Sequence, residues 1–423
     1  MNLKIPYGHG YLEADRPMAS CETLTTRLGE LASGLSGSEL VKNAMENPIG
    51  SPGLSELACG KESAVILISD HTRPVPSREI LPAMLAELRE GSPNIDVTLL
   101  VATGCHRLTS CDELRSKLGD EIFYRENIVV HDSRSKRNVE IGTLPSGAPL
   151  VIDRTATECD LLVAEGFIEP HFFAGFSGGR KSVLPGICDQ KTVMGNHCSA
   201  FLADPYARTG VLDGNPIHRD MIVAAQMAKL KFIVNVILNS EHRTVAAFVG
   251  DAIRAHYAGC EKLMDYCGVK PQKRGDIVIT SNGGAPLDQN LYQAVKGMVT
   301  AARFATENGV IIMCAECADG SGSDDFYMAM RGCESAQKLY EHILTIPQDK
   351  TQMDQWQYQM LARVLIKHRV IVVTRPELKD MVHEMKMEFA PNLEKAMLAA
   401  DSIAGTCPHY VIVPDGISVI PML

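Results

Sequence analysis

The densest group of chemically capable side chains lies in the segment EPHFFAGFSGGRKSVLPG (169–186). His171 precedes a glycine-rich stretch that also carries Arg180 and Lys181. Successive glycine N–H groups can form a concavity for an anion, and two cations would deepen it. Gly175 and Lys181 have the spacing of a nucleotide-binding P-loop, but Arg180 stands where that motif needs glycine. The segment therefore predicts a mononucleotide phosphate site rather than a standard ATPase loop.

Two further candidate segments directly follow apolar, strand-like runs. In SDHTRP (69–74), the Arg73 guanidinium suits a carboxylate, and Asp70 can orient it or accept a hydrogen bond from a hydroxyl group. A structural Asp–Arg pair in a turn is the alternative. In ATGCHR, His106 is expected at the rim of a turn that glycine permits, although a lone loop histidine is more often a surface or capping residue.

The remaining candidates come from GNHCSA and from SNGGAPLDQNLYQAVKG (281–297). His197, in the first of these, could supply one ligand to a metal held mainly by something else, or it could be an ordinary buried histidine. Gln293 and Lys296 lie three residues apart and share a helix face near a positive helix end, with Tyr292 in reach of the same side. A solvated helix face is the alternative here.

Together these groups predict an anion-binding cleft with two acid–base candidates, His106 and His171. Two bases suit racemisation, in which one face of a carbon loses hydrogen and either face regains it. The hydrogen on C2 of a 2-hydroxy acid is very weakly acidic, so its removal as hydride by a tightly held acceptor is easier. The residues alone do not identify this hydride acceptor.

The elements that must position these groups alternate between strand and helix. Short Val- and Ile-rich runs predict buried strands, and the stretches between them have helical periodicity. This alternation predicts an α/β fold with two domains, each with a mainly parallel sheet covered by helices, and an active site in the cleft between them. The polar segment GVKPQKRGD marks the boundary, which divides the chain into residues 1–268 and 275–423. Ser77 and Asn215 are predicted to cap the helices that follow them.

Composition narrows the class of protein. The formal net charge of −10 disfavours nucleic acid as a partner. The N-terminus lacks the pattern of a signal peptide, and no apolar run reaches the roughly 20 residues that cross a bilayer. We expect a cytoplasmic protein that is not bound to membranes and whose 13 cysteines are reduced. The pair Cys314 and Cys317 has no second pair to complete a zinc site, so we expect two small buried residues.

The motifs SDHTRP, ATGCHR, EPHFFAGFSGGRKS, GNH, YQAVKG and DQWQYQMLARVLIKHR resemble those of the nickel-dependent lactate racemase family, in family order and over most of the chain. The resemblance implies a nickel pincer nucleotide, which is a nickel-carrying pyridinium-3,5-bisthiocarboxylic acid mononucleotide. In that interpretation Lys181 is the position that can tether the cofactor through a thioamide, and His197 is the fourth nickel ligand. The loop that holds the phosphate or neighbouring oxygens would consist of Ser177, Gly178, Gly179 and Arg180.

The resemblance also implies the reaction and the substrate contacts. His106 and His171 would flank a small 2-hydroxy acid, one taking the hydroxyl proton while hydride passes to the cofactor ring, with a 2-keto acid as intermediate. Asp70 and Arg73 would bind the substrate or orient a histidine. Gln293 and Lys296 would bind the carboxylate or hydroxyl groups of the substrate, and Tyr292 and Trp356 would shape the substrate pocket. Cofactor-biosynthesis enzymes are implied as partners. The sequence does not decide whether the protein forms a homo-oligomer.

Three alternatives remain at this stage. The protein could be a C2 epimerase of a longer polyhydroxy acid with the same cofactor residues. It could also bind nickel or a cofactor without catalysis, although a carrier does not need paired histidines. A zinc hydrolase built on the three histidines finds no support in ligand spacing.

Overall fold

Two six-stranded sheets organise the molecule. The computed structural model describes residues 2–16, 18, 20–31 and 34–422. The first sheet has the spatial order Thr244–Asp251, Leu230–Leu238, Leu161–Phe167, Ser63–Ser69, Asp96–Ala102 and Asn127–Val130. It is parallel except for the first pair in this order, which is antiparallel. The second sheet is parallel throughout, in the order Glu388–Ala390, Arg369–Val373, Ala305–Cys314, Gly275–Ser281, His409–Val413 and Ser20–Thr23. The predicted α/β fold is confirmed.

Shorter strands complete the sheet structure. An N-terminal hairpin pairs Asn2–Tyr7 with Gly10–Asp15, and a second hairpin pairs Val139–Thr143 with Pro149–Ile152. Two-residue strands pair Pro170–His171 with Gly175–Phe176, and Gly268–Val269 with Ile420–Pro421.

Helices cover the sheets, as the periodicity predicted. Those of the first half are Gly37–Met45, Leu54–Ala58, Ser77–Gly91, Cys111–Leu118, Asp120–Arg125, Gln190–Asn196, Ser199–Ala203, Pro216–Met227 and Arg254–Cys267. Those of the second half are Leu291–Phe304, Asp324–Gly332, Ala336–Leu344, Gln355–Lys367, Lys379–Glu384 and Leu393–Ala404. Within the described ranges, no helix has both the length and the apolar character that a bilayer crossing requires.

The N-terminal strands pack away from the half that follows them in sequence. Strand Ser20–Thr23 forms the edge of the second sheet beside His409–Val413, and Leu3 and Ile5 are buried against that sheet. The predicted domain boundary places these residues in the N-terminal domain, residues 1–268. Sequence proximity does not decide the partner of an edge strand, because the open edge of a distant sheet offers the same backbone hydrogen bonds.

One of the two predicted helix caps differs from the structure. The Asn215 side chain accepts from the N–H groups of Ile217 and His218, as expected of an N-cap. Ser77 instead lies inside its helix, after Pro76, and its hydroxyl donates to Glu165 Oε1 at 2.6 Å. Glu165 lies on the neighbouring strand and is fully buried, so the serine satisfies a carboxyl group rather than a helix end.

Each sheet has a topological switch point, where successive connections leave a central strand in opposite directions. In the first sheet it lies between Ser63–Ser69 and Leu161–Phe167, and in the second beside Gly275–Ser281. Open α/β sheets bind ligands beyond the carboxyl ends of such strands. Asp70 and the 169–186 segment follow the first pair, and the helix Leu291–Phe304 follows the strand of the second sheet.

The halves share an apolar core and direct hydrogen bonds. One cluster of buried side chains includes Leu67 of the first sheet and Ile311 of the second. Gln359 Nε2 of the second half donates to the Ser199 carbonyl at 2.8 Å, close in sequence to His197. The histidine-bearing turn is therefore fixed against the second half.

Candidate active site

The ring of Phe173 is the centre of the site. The ring centroids of His171 and His197 lie 4.6 Å and 5.1 Å from that of Phe173, both in edge-on contact. Lys181 Nζ lies 5.9 Å from the same centroid. These four residues come from three turns that follow the strand Leu161–Phe167, and we call them the Phe173 cluster.

The second half closes the cluster through an aromatic and hydrogen-bonded chain. His197 contacts the Trp356 ring at 5.2 Å between centroids. Trp356 Nε1 donates to the Tyr292 hydroxyl at 2.8 Å, and that hydroxyl donates to Asp354 Oδ1 at 3.1 Å. Burial and the nearby Asp354 charge raise the pKa of Tyr292 well above its usual range, so the hydroxyl remains a donor. The structure thus brings Tyr292 and Trp356 to the site.

Burial and neighbouring positive charges keep the bases of the cluster neutral. Burial, together with the charges of Lys181 and Lys296, holds the pKa of His171 well below its usual range. Burial and the charge of Lys181 lower the pKa of His197 to about 3. Burial and the charge of Arg180 likewise hold the pKa of Lys181 well below the ordinary lysine range. A neutral imidazole is a metal ligand and a neutral amine is a nucleophile.

Two cationic groups, Arg73 and Lys296, face this centre from different elements. The charges of Arg73 and Lys296 both act on His171 and on Lys181, which places all four groups close together. Burial, followed by the Arg73 charge, lowers the pKa of Lys296 to about 8. Glu169 partly offsets these cations. An uncompensated set of this kind attracts a small anion.

His106 lies at the accessible edge of the site and is held by Asp70. Its Nδ1 is 2.7 Å from Asp70 Oδ2, while Thr72 donates to the other carboxylate oxygen at 2.6 Å. Asp70 is 2% exposed, whereas the His106 side chain is 47% exposed. Burial alone would raise the pKa of Asp70, but its hydrogen bonds and the neighbouring His106 and Arg73 charges lower it to about 2.

The proposed partnership of Asp70 with Arg73 is different in the structure. Asp70 accepts from Thr72 and pairs with His106, and Arg73 donates to the Thr72 hydroxyl at 3.0 Å. Arg73 contributes its charge to the site without a direct bond to Asp70. The motif alone could not distinguish these arrangements, because His106 comes from a neighbouring strand end.

A buried arginine, Arg180, holds the conformation of the glycine-rich loop through hydrogen bonds to its carbonyl groups. Arg180 is 1% exposed and donates to the carbonyls of Ala174 and Gly178 and to the ring nitrogens of His218 and His256. Burial lowers the pKa of this guanidinium to about 10. These contacts hold the loop, and they leave Arg180 little capacity to bind a phosphate directly.

The backbone conformation of the same loop requires glycine at positions 178 and 179. Both have positive φ angles, 78° and 53°. A Cβ atom on Gly179 would lie 2.7 Å from the His256 ring, and one on Gly178 would lie 2.7 Å from Asn235 Oδ1. Asn235 also accepts from the Gly179 N–H at 2.8 Å. Ser177 is anchored through its hydroxyl to Glu169 at 3.1 Å.

Gln293 lies in the first turn of the helix Leu291–Phe304, where its N–H is capped by Asn290 Oδ1 at 2.9 Å. Asn282 donates to its carbonyl at 2.7 Å. Lys296 follows three residues later on the same face. Asn282 and Asp354 are supporting residues that sequence reasoning did not find. The only available signal was position, since Asn282 ends a parallel strand and Asp354 lies two residues before the lone tryptophan.

The two cysteines of the CxxC pair are buried, as the sequence predicted. Cys314 and Cys317 are 0% and 1% exposed, the first ending its strand. Across the described ranges, no three His, Cys, Asp or Glu side chains gather so that they could hold a metal ion by themselves. A metal at His197 would therefore need ligands from another group.

Comparison with known proteins places the chain in a family. Residues 7–210 match the model of the lactate racemase N-terminal domain, and residues 270–421 match that of the lactate racemase C-terminal domain. The chain is thus a two-domain α/β protein that belongs to the lactate racemase family. It is similar to the lactate racemase of Thermoanaerobacterium thermosaccharolyticum, with 49% identity over 99% of each chain, and to that of Lactiplantibacillus plantarum, with 46% identity over 91% of each.

Solved structures show the same fold. The apoprotein of the Thermoanaerobacterium thermosaccharolyticum lactate racemase superposes with a TM-score of 0.96 over 100% of both chains, at 48% identity. A Thermotoga maritima protein superposes with a TM-score of 0.64 over 91% of this chain and 97% of its own, at 18% identity. The second likeness supports the fold alone.

Proposed function

We propose that the protein racemises lactate, or a 2-hydroxy acid of similar size, with a nickel pincer nucleotide as cofactor. The observation that carries this proposal is the arrangement of His171, His197 and Lys181 around one phenylalanine ring, inside a pocket that Arg73 and Lys296 make positive. The curated relatives, which are lactate racemases, support the substrate class.

The residues present fit this cofactor. His197 Nδ1 is buried and has no hydrogen-bond partner within the described residues, so no protein contact fixes its proton. Lys181 Nζ likewise forms no ion pair or hydrogen bond among the described residues, and its lowered pKa favours the neutral amine that a thioamide link requires. The Ser177–Arg180 loop would hold the phosphate end, with Arg180 acting through loop shape. When bound, the cofactor would supply a hydride acceptor beside the substrate carbon.

The two acid–base histidines present opposite hydrogen-bonding roles to the substrate. Asp70 accepts from His106 Nδ1–H, which leaves the Nε2 lone pair free to take a hydroxyl proton. His171 Nδ1 accepts from the Ala174 N–H at 3.2 Å, so a neutral His171 carries its proton on Nε2 and is a donor. The pair therefore contains one base and one acid. A substrate hydroxyl between them would lose its proton to His106 Nε2 while His171 donates a hydrogen bond to the oxygen, and His106 would return that proton when hydride returns to the carbon.

The anionic end of the substrate would be held by the cations. Arg73 offers a planar fork suited to a carboxylate, and Lys296 supplies a point charge from the second half. Gln293, Tyr292 and Trp356 complete the wall on that side. Binding across both halves would exclude water from the reacting carbon.

The test is co-production of the chain with the cofactor-making enzymes, followed by intact mass, nickel content and interconversion of D- and L-lactate. We expect added mass, about one nickel per chain and formation of the racemic mixture from either enantiomer. Protein made without those enzymes is the matched control and should show none of the three. A nickel-loaded protein that leaves lactate unchanged but epimerises a longer polyhydroxy acid would replace the substrate assignment, and loaded protein inactive on both would reject catalysis.

A further inference from the structure

A second cavity, of about 400 Å³, shares a wall with the candidate active site. Phe172 lines this cavity, and its ring also stacks against the His171 ring with 5.2 Å between the centroids. The remaining walls come from residues 208–211 of the first half, Lys270 of the connection, and Val299, Arg303 and residues 420–422 of the second half. We call it the hinge cavity because these segments span both halves and their connection.

The hinge cavity gathers positive charge without acidic partners. Arg208, Lys270 and Arg303 line it, and none of their side chains forms an ion pair or hydrogen bond within the described residues. Arg274 and Arg363 are close enough for their charges to act on Arg303. Burial, followed by these like charges, lowers the pKa of Arg303. Such crowding costs folding free energy that a bound anion would offset.

The rest of the lining is apolar. Phe172, Met264, Val299, Ile420 and Met422 supply hydrocarbon and ring surface beside the cations. The volume falls within the range of pockets for small metabolites, which combine an apolar lining with a few convergent charged groups. An inorganic anion would leave the apolar wall without a partner, so the lining fits a carboxylate or phosphate monoester with a short apolar body.

The hinge cavity and the active site meet on one helix. Lys296, Val299 and Arg303 stand at positions i, i+3 and i+7 of the helix Leu291–Phe304, so they share a face. The Lys296 end faces the Phe173 cluster, and the Arg303 end faces the hinge cavity. A ligand there would contact both halves and would favour one arrangement of them.

We infer that the hinge cavity is a second anion site, separate from the active site, that binds a small organic anion between the two halves of the molecule. Neither the proposed reaction nor its cofactor uses this cavity. The ligand class follows from Arg208, Lys270 and Arg303 beside an apolar wall, and the location follows from the segments that line it.

The experiment is a titration of the full chain with 4-fluorophenyl phosphate at fixed ionic strength, followed by fluorine NMR. The probe combines a dianion with a small apolar ring. We expect saturable binding that Arg303→Gln weakens about tenfold or more, since a hydrogen bond to a charged group is of that size. Arg208→Gln, at an exposed loop position that does not threaten folding, should weaken it several-fold. Arg243→Gln, at an exposed arginine paired with Glu241, is the matched charge control and should change nothing.

Two further titrations separate this cavity from the active site. Lys296→Gln should remove any binding at the active site and leave the component that depends on Arg303. Cofactor-loaded protein should retain that component as well. Binding that is unaffected by both Arg303→Gln and Arg208→Gln, or that disappears when the cofactor is loaded, would overturn the inference.

Discussion

The two histidines assigned to acid–base chemistry lie in contrasting surroundings. His106 stands at an accessible edge, and a buried carboxylate fixes its orientation at 2.7 Å. His171 lies in the Phe173 cluster, where aromatic contacts and one backbone N–H orient it and neighbouring cations oppose its protonation. A hydrogen bond to a buried carboxylate holds the first imidazole, and packing with desolvation holds the second. The same side chain is thereby prepared as a base at one position and as a neutral donor at the other.

The difference extends to the groups around each histidine. At the accessible edge of the site, Asp70 and His106 form an acid–base pair that can exchange protons with water. The Phe173 cluster has neutral nitrogens at His197 and Lys181 and no acid in direct contact with either within the described ranges. Cofactor attachment should therefore depend on the cluster, and proton transfer should depend on both regions.

The largest expected effect comes from removing the Lys181 amine from the Phe173 cluster. Lys181→Ala should abolish the covalent mass increase and reduce racemisation by roughly 10⁴-fold, because the hydride acceptor loses its tether. Lys191→Ala, at an exposed lysine ten residues further on, is the matched control and should keep mass, nickel and activity. Full activity of Lys181→Ala with a normal nickel content would contradict the assigned role.

Next in size are the two histidines. His106→Ala and His171→Ala should each lower kcat by about 10²–10⁴-fold, the usual contribution of a general acid or base. Nickel content should remain near that of the unchanged protein, because neither residue is assigned as a metal ligand. His342→Ala, at an exposed helix position, serves as the control in the same assay. Loss of nickel in either active-site variant would show that the two regions are not separate in function.

A smaller effect tests the positioning role of Asp70. Asp70→Asn keeps the shape of the side chain but can donate to His106 Nδ1, which would move the imidazole proton to Nε2 and remove the base. We expect kcat to fall about 10–100-fold, with KM nearly unchanged and the acidic limb of the pH profile shifted. A merely structural role would instead lower thermal stability and leave the pH profile of the remaining activity in place.

The smallest expected effect concerns pH. Lys296 has a pKa of about 8 in the absence of a bound anion. Because the charged form binds the substrate carboxylate, affinity should be complete below pH 8 and fall as pH rises through that value. KM should therefore increase by about tenfold per pH unit well above pH 8. In Lys296→Arg the guanidinium stays charged, so this dependence should disappear, and its persistence would assign it to another group.

The parts of the site that sequence predicted share one property. Asp70, His106 and His171 each follow a recognisable parallel strand, and the carboxyl ends of such strands meet at one edge of a sheet. The Arg180 contacts were not predictable, because His218 and His256 come from helices far along the chain. The Arg180 guanidinium could bind a phosphate, but the tertiary structure buries it and surrounds it with hydrogen-bond acceptors, so it supports the loop instead.

Strand and helix periodicity by itself determined the α/β class, the alternating elements and the segments that carry chemistry, since these depend on local apolar spacing. Tertiary structure decided which side chains became partners. It joined Asp70 to His106 rather than to Arg73, placed the N-terminal strands on the second sheet, and set His197 against Trp356 of the other half. The physical reason is that hydrogen bonds and ring contacts act only over a few ångströms, and distance along the chain does not specify distance in space.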